Sequence, residues 1–248
     1  MKVTVLGCWA PYPRPGGACS GYLVQQGETS VLVDIGHGVM SKLGWFVDFR
    51  HLTAVVITHF HPDHFADIFA LRHAIAGSLR DGSRGCFLEV FFPSEPQLEA
   101  FRVASFSDSF RPRFLDELPE GWVGVGDINI SFYRVPHKIP SYAVGLETEG
   151  IRIVYSGDTS WCRELVEFAS GSELFICEAS LLEEDRAILP EDHLTAREAG
   201  ILGRQAGVKR LLLTHFWPEY NLRALAEQAG EGYGRGVELA QEGERYEV

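Results

Sequence analysis

Short apolar runs alternate with amphipathic stretches along the whole chain. The apolar runs are a few residues long, rich in Val, Ile and Leu, and bounded by polar residues or glycine, which is typical of strands. The pattern predicts strands at residues 3–6, 21–24, 31–33, 54–58, 86–92, 128–135, 143–147, 151–155, 173–177 and 211–214. Stretches with apolar residues at helical spacing predict helices at residues 66–79, 95–105, 162–169, 195–206 and 222–229. Strands and helices intermixed in this way indicate a layered α/β fold.

Six of the predicted strands run directly into an ionisable residue. The sequences LVD, VITH, YRVPH, IVYSGD, LFICE and LLLTH show the pattern. The residues are Asp34, His59, His137, Asp158, Glu178 and His215. One such strand is uninformative, but six indicate strand ends that converge on one edge of the core, where loops present ligands. The pattern therefore predicts an active site at that edge.

One short segment after the fourth predicted strand carries the strongest chemical signal. It reads His59-x-His61-x-Asp63-His64. His59 and His61 are two residues apart after a strand, so extended backbone directs both imidazoles to the same side. Asp63 and His64 follow in a tight loop, where Pro62 fixes one φ angle. Imidazole and carboxylate without a thiolate suit zinc, iron or manganese, and the sequence leaves the choice among them open.

Four ligands are too few for two metal ions, and three further residues complete the set. His137, Asp158 and His215 stand at strand ends, and Asp158 is the expected bridge because one carboxylate can bind two ions. We therefore predict two divalent metal ions, with zinc as the first choice. The first ion is expected to bind His59, His61, His137 and Asp158. The second is expected to bind Asp63, His64, Asp158 and His215.

Composition narrows the class of protein. The 248 residues are 46% hydrophobic and 23% charged, as in a globular protein with a sizeable core. With 22 basic and 34 acidic residues, the net charge of −12 repels phosphate backbones and disfavours extended nucleic acid as a partner. Five scattered cysteines predict reduced thiols in a cytoplasmic protein. The apolar runs are too short for a secretory signal or a membrane span, so we expect no membrane partner.

The ordered series of candidate residues resembles the metallo-β-lactamase superfamily. The series comprises Asp34, the HxHxDH motif, His137, Asp158 and His215, and the resemblance extends from residue 3 to about residue 220. It implies a four-layer αββα sandwich with the metal ions at the edge of the sheets. We expect residues 1–248 to form a single domain of this kind. By its position in the family pattern, Asp34 is expected to orient a metal-binding histidine rather than to bind metal itself.

Within the superfamily, the chain is similar to the ribonuclease Z branch. Residues 178–180 (Glu-Ala-Ser) and 193–196 (His-Leu-Thr-Ala) stand where that branch has His-Glu-Ala-Thr and His-Ser-Thr-Ala motifs, although Cys177 replaces the first histidine. Bacterial ribonuclease Z has a long tRNA-gripping arm between the third metal-binding histidine and the bridging aspartate. Here only 20 residues separate His137 from Asp158, which is room for a pair of strands. The chain therefore resembles the arm-less, ribonuclease Z-like phosphodiesterases.

The resemblance implies a metal-dependent hydrolase, and we expect a phosphodiesterase for a small or cyclic phosphodiester or a short nucleic acid. Asp63 is expected to orient and deprotonate the attacking water. His193 is expected to protonate the leaving group as general acid, with Glu178 holding the imidazole. Hydrolysis of a lactone, thioester or other carboxylic ester stays open, as do tRNA 3′-processing and a non-catalytic metal-binding role. The oligomeric state is also open, with a homodimer among the options.

Overall fold

Two seven-stranded β-sheets form the middle of the protein. The structure is a computed structural model that describes residues 1–118, 121–187 and 192–248. With strands numbered along the chain, the first sheet contains, in spatial order, β14 (Arg245–Glu247), β1 (Lys2–Gly7), β2 (Gly21–Gln26), β3 (Thr29–Val33), β4 (Ala54–Val56), β5 (Leu88–Phe92) and β6 (Phe110–Phe114). The second contains β13 (Glu238–Leu239), β12 (Arg210–Thr214), β11 (Leu174–Glu178), β10 (Ile151–Tyr155), β9 (Ser141–Thr148), β8 (Ile128–Val135) and β7 (Trp122–Val125).

Seven α-helices accompany these sheets in the described part of the chain. They are α1 (Val39–Leu43), α2 (Pro62–Phe65), α3 (Ile68–Arg80), α4 (Gln97–Ala104), α5 (Arg163–Phe168), α6 (Ala196–Gln205) and α7 (Leu222–Tyr233). Short 3₁₀ turns occur at Phe49–His51, Leu115–Glu117 and Glu183–Asp185. A membrane-crossing helix, which needs length and an apolar surface together, is absent from residues 1–118, 121–187 and 192–248.

Two apolar cores hold the layers together. Because side chains alternate between the faces of a strand, Val24 of β2 packs in the core that joins the two sheets, and its neighbour Leu23 packs in the other core. In that second core the first sheet meets apolar residues of α3 and α4, such as Leu71. On the far side, α6 packs against β11 and β12 through residues such as Leu202. The predicted four-layer αββα sandwich is therefore confirmed.

The predicted strands and helices are present, with ends that differ by a few residues. The structure adds two short helices, α1 and α2, and four strands, β6, β7, β13 and β14, that the apolar pattern does not predict. Helix α2 forms where the sequence predicts a tight loop, and Pro62 is its first residue, a position that proline favours. The added strands lie at the edges of the two sheets. The sequence of β6, FRPRF, has two arginines and Pro112 in place of a run of apolar residues, and an edge strand tolerates the proline because one of its sides needs no ladder hydrogen bond. The other three are four residues long or shorter, too short for a periodic signal.

Strand direction brings the candidate residues together. β3, β4, β5 and β6 run parallel, and so do β10, β11 and β12. The carboxyl ends of parallel strands meet at one edge of a sheet, and five candidate residues stand at or just after such ends, namely Asp34, His59, Asp158, Glu178 and His215. The antiparallel hairpin of β9 and β10 fills the short interval between His137 and Asp158, as predicted.

Helix α6 begins at a capping box that its sequence predicts. Thr195 is followed three residues later by Glu198, the spacing of this motif. In the structure the Thr195 side chain accepts a hydrogen bond from the Glu198 backbone N–H, and the Glu198 carboxylate accepts one from Thr195 N. This start places His193 immediately before the helix, beside the candidate site.

Candidate metal centre

The four side chains predicted for the first metal ion converge on one place. His59 Nε2 lies 3.2 Å from His61 Nδ1 and 3.4 Å from Asp158 Oδ2. His137 Nε2 lies 3.1 Å from His61 Nδ1. All four residues offer ligand atoms within 4.8 Å of one another. The predicted set for the first ion is therefore assembled, although the four residues come from three separate parts of the chain.

The side chains predicted for the second ion form an adjoining group. Asp63, His64 and His215 also offer ligand atoms within 4.8 Å of one another. His64 Nε2 and His215 Nε2 are 3.1 Å apart, and Asp63 Oδ2 is 3.4 Å from His215 Nε2. Asp158 Oδ1 lies 3.2 Å from His64 Nε2 and 3.1 Å from His215 Nε2. The two oxygens of Asp158 thus face the two groups separately, as a bridging carboxylate requires.

The donor atoms fit a pair of divalent cations. Asp158 Oδ1 is buried and accepts no hydrogen bond within the described chain, although two imidazole nitrogens lie within 3.2 Å of it. Buried polar atoms are nearly always hydrogen-bonded, so an oxygen in this position needs another partner. The ligand atoms of each group lie close together without forming a hydrogen bond to Asp158 Oδ1, which is how ligands are arranged around a cation. Imidazole nitrogen and carboxylate oxygen are ligands that suit zinc, iron and manganese.

The charges of the buried side chains also favour a bound cation at this site. Asp34, Asp63, Asp158 and Glu178 are all buried, and their ion-pair partners within the described ranges are histidines. Burial raises the pKa of Asp158, but the charges of nearby histidines outweigh this and hold it well below its usual range. Burial lowers the pKa of His215, but the Asp158 carboxylate outweighs this and raises it to about 10. Protons on imidazoles therefore offset the buried carboxylates, and a cation held by the same side chains would replace those protons.

Asp34 orients two of the predicted ligands. Its Oδ2 accepts a hydrogen bond from His64 Nδ1 at 2.7 Å and from Thr58 Oγ1 at 2.9 Å, and its Oδ1 accepts one from Thr58 N at 2.8 Å. His59 Nδ1 lies 3.1 Å from the same Thr58 hydroxyl. Asp34 therefore leaves Nε2 of His64 free for the cluster, and it holds His59 through Thr58. Asp34 therefore lies beside the cluster and contacts His64, and its role in orienting a bound ligand stays a prediction.

Glu178 organises the other side of the cluster. Ser180 Oγ donates to Glu178 Oε2 at 2.6 Å and lies 2.7 Å from His215 Nδ1, so it links the two residues. Glu178 Oε1 accepts a hydrogen bond from Thr159 N at 2.7 Å. His193 Nδ1 lies 3.1 Å from the same oxygen. One buried carboxylate thus holds His215 through Ser180 and holds His193 directly.

Three backbone positions turn these side chains toward the cluster. Asp34 and His215 have φ angles of 59° and 62°, in the left-handed region that is unfavourable for residues other than glycine. Such strain costs about 1–3 kcal/mol and persists where the surroundings impose it. Gly157, directly before Asp158, has φ 60°, and a Cβ there would lie 2.6 Å from the Tyr142 carbonyl oxygen. Only glycine allows the strand to turn at this point and present Asp158.

A cavity of about 320 Å³ opens over the cluster. Its floor is formed by predicted ligands, and its apolar wall is formed by Ala10, Pro11, Pro62, Leu181 and Trp217. His193 also lines it, with its side chain 21% exposed. Burial lowers the pKa of His193, but the charge and hydrogen bond of Glu178 outweigh this effect and raise it above 6.5. The cavity therefore places an imidazole with a raised pKa beside the cluster.

Several residues of the site are not predicted from the sequence. Thr58 and Ser180 link ligands to carboxylates, and the backbone carbonyl of Asp192 accepts a hydrogen bond from His137 Nδ1 at 2.9 Å. Trp217 and Pro11 form the cavity wall. The signals for Thr58, Ser180 and Trp217 are their positions one or two residues from predicted site residues. Asp192 has the same signal because it directly precedes the predicted His193, whereas Pro11 has none and is brought to the site only by tertiary folding.

The chain matches known proteins over most of its length. The sequence model of the protein family described as the β-lactamase superfamily domain matches residues 29–216. The probable metallo-hydrolase YhfI of Bacillus subtilis is 32% identical over 236 residues, which cover 94% of this chain and 95% of that protein. The crystal structure of YhfI, a metallo-β-lactamase fold protein, is similar with a TM-score of 0.91 at 29% identity, covering 99% of this chain and 98% of that one. The ribonuclease Z of Ignicoccus hospitalis is 25% identical over 289 residues, covering 94% of each chain.

Proposed function

Because the chain belongs to the metallo-β-lactamase superfamily and is a metallo-hydrolase related to ribonuclease Z, we propose that it is a phosphodiesterase with two metal ions. Its substrate is a small or cyclic phosphodiester or a short nucleic acid. The pair of His193 and Glu178 beside the ligand cluster is the observation that carries this proposal. An alkoxide leaves a phosphodiester poorly without a proton, and this pair holds a proton donor at the cavity.

Seven residues hold the metal ions in this proposal. His59, His61 and His137 would hold one ion, Asp63, His64 and His215 would hold the other, and Asp158, which lies between the two groups, would contact both. When bound, two divalent ions lower the pKa of water toward neutrality and offset negative charge on phosphoryl oxygens. Zinc is the first choice, and manganese and iron suit the same donor atoms.

Asp63 and His193 move protons on opposite sides of the reaction. Asp63 Oδ2 lies 3.4 Å from His215 Nε2, and the second carboxylate oxygen can orient the attacking water and accept its proton. Glu178 holds Nδ1 of His193, which leaves Nε2 to donate a proton to the departing oxygen. Asp158 is assigned to the two ions and Asp34 accepts a hydrogen bond from His64, so neither carboxylate is available for these proton transfers.

The size and charge of the molecule favour a small substrate. The cavity of about 320 Å³ accommodates a substrate of a few rings, and the apolar wall with Trp217 suits a flat or apolar substituent. Between His137 and Asp158 the chain forms only the hairpin of β9 and β10, with no room for a tRNA-binding arm. The net charge of −12 also opposes a long polyanion. The relative named ribonuclease Z supports cleavage of phosphodiester bonds. The small cavity, the short hairpin and the negative charge favour shorter substrates than tRNA.

A substrate panel tests this proposal. Purified protein of known metal content is assayed with an aryl phosphodiester, the matching phosphomonoester, a lactone, a thioester and a pre-tRNA. We expect the phosphodiester to be cleaved fastest. Faster turnover of the lactone or thioester would assign the site to carboxylic ester hydrolysis, and position-specific trimming of pre-tRNA would assign it to tRNA processing. No turnover of any substrate by fully metal-loaded protein would support a non-catalytic role.

A further inference from the structure

A second large cavity lies at the opposite end of the first sheet. It has a volume of about 1040 Å³ and lies beside the amino ends of β4, β5 and β6. Thr53, directly before β4, lines this cavity, whereas His59 follows the carboxyl end of the same strand. The two residues are six positions apart, and extended chain of that length spans about 20 Å. The cavity is therefore separate from the metal-ligand cluster.

The wall of this cavity is positively charged, although the chain as a whole is acidic. Arg50, Arg84 and Arg111 line it together with one carboxylate, Glu89. Arg50 and Glu89 each have an ion-pair partner elsewhere. Arg84 and Arg111, in contrast, form no ion pair with any residue of the described ranges 1–118, 121–187 and 192–248. Three guanidinium groups stand against one carboxylate in this wall, Glu89, which lies across from Arg111 on the neighbouring strand, so the cavity attracts anions.

Arg84 is the most unusual of these residues because it is only 8% exposed. Its Nε donates to the Cys86 carbonyl at 2.8 Å and its Nη1 donates to the Arg50 carbonyl at 2.5 Å. These two bonds fix the guanidinium plane, and Nη2 makes no hydrogen bond to the part of the chain that the structure describes. Burial lowers the pKa of this guanidinium, because removing a charge from water has a cost. A bound anion would offset that cost.

We propose that this cavity binds a small phosphate ester, with Arg84 and Arg111 holding the phosphate group. Arginine suits this ligand because the planar guanidinium presents parallel N–H groups that match phosphate oxygens. Phe87 lines the same cavity with 47% of its surface exposed, and it offers a flat apolar surface to a ring attached to the phosphate. A nucleoside monophosphate has both parts, a dianionic phosphate and a planar ring.

Cys86 reports occupancy of this cavity directly. It is an exposed free thiol in the wall, and Cys162 is a partly exposed thiol outside it. Alkylation by iodoacetamide is followed at each cysteine by peptide mass spectrometry, with AMP, adenosine or inorganic phosphate present. We expect AMP to slow alkylation of Cys86 about fivefold at four times its dissociation constant, since the free fraction falls with occupancy. Adenosine should have little effect, and the rate at Cys162 should not change.

Variants separate binding at this cavity from other causes. Arg111→Gln should abolish the protection of Cys86, whereas Arg223→Gln, which removes an exposed arginine of α7, should preserve it. Arg111 is chosen because its side chain is exposed, whereas loss of the buried Arg84 would disturb folding. Equal protection by phosphate and AMP would support the phosphate site and assign it to free phosphate. No protection by millimolar AMP or phosphate, or undiminished protection in Arg111→Gln, would overturn the proposal.

A second measurement needs no ligand. Iodoacetate is an anion and iodoacetamide is neutral, so the ratio of their rates senses the local potential. At low ionic strength we expect this ratio at Cys86 to exceed the ratio at Cys162 by about threefold, and Arg111→Gln should reduce the excess. Equal ratios at the two thiols would contradict the positive potential on which the proposed site depends.

Discussion

Replacement of His193 by alanine tests whether this imidazole protonates the leaving group. Nδ1 of His193 lies 3.1 Å from Glu178 Oε1, and the side chain lines the cavity over the ligand cluster. His193→Ala removes the proton donor and leaves all seven proposed metal ligands in place. The metal content of the variant should therefore equal that of the wild type.

The size of the effect depends on the leaving group. A positioned general acid contributes about 10²–10⁴ in rate, or roughly 3–5.5 kcal/mol of activation free energy. An alkyl phosphodiester needs this whole contribution because its leaving group is a strongly basic alkoxide. Glu178 holds the His193 ring in position to donate the proton. A p-nitrophenyl ester releases an anion that is stable near neutral pH. We expect His193→Ala to reduce kcat/KM about 10³-fold for the alkyl ester and less than about tenfold for the aryl ester.

The assay compares kcat/KM for both esters with metal content from elemental analysis. His73→Ala, which removes an exposed histidine of α3, is the matched control and should change neither value. Equal losses on the two esters, with full metal content, would refute the role of His193 as a general acid. Loss of metal in His193→Ala would instead make His193 a ligand.

Three further predictions concern metal binding and stability. Protein purified without chelator should contain two metal ions per chain by elemental analysis. Asp158→Ala should lower occupancy of both positions and His215→Ala mainly of one, and a constant value near one in the wild type would contradict the dinuclear site. Asp34→Asn loses the carboxylate that accepts from His64, so metal affinity measured by calorimetric titration should fall about 10–100-fold, and an unchanged affinity would contradict its orienting role. Thr195→Ala removes the side-chain cap of α6 and should lower the free energy of unfolding in urea by about 1 kcal/mol, and an unchanged value would show that the cap does not stabilise the fold.

Most of the fold and the candidate ligands could be predicted because their signals are local. Strands in the middle of these sheets are apolar on both faces, since one face meets the other sheet and the other meets helices. The HxHxDH motif occupies six consecutive positions, and extended backbone directs His59 and His61 to one side. Edge strands such as β6 lack this signal, because one side of an edge strand faces away from the sheet and tolerates arginine and proline.

The sequence by itself determined which side chains stand at the ends of apolar strands, and therefore which residues were candidates for binding metal. Only the tertiary structure decided how the two oxygens of Asp158 divide between the groups and how Ser180 links His215 to Glu178. It also decided which residues form the cavity wall. Ala10 N donates to the Phe216 carbonyl, more than two hundred residues away in the sequence, and this bond brings Ala10 and Trp217 to the same cavity. The physical reason is that periodicity shows which face a side chain occupies, whereas packing of distant strands decides which backbone lies opposite it.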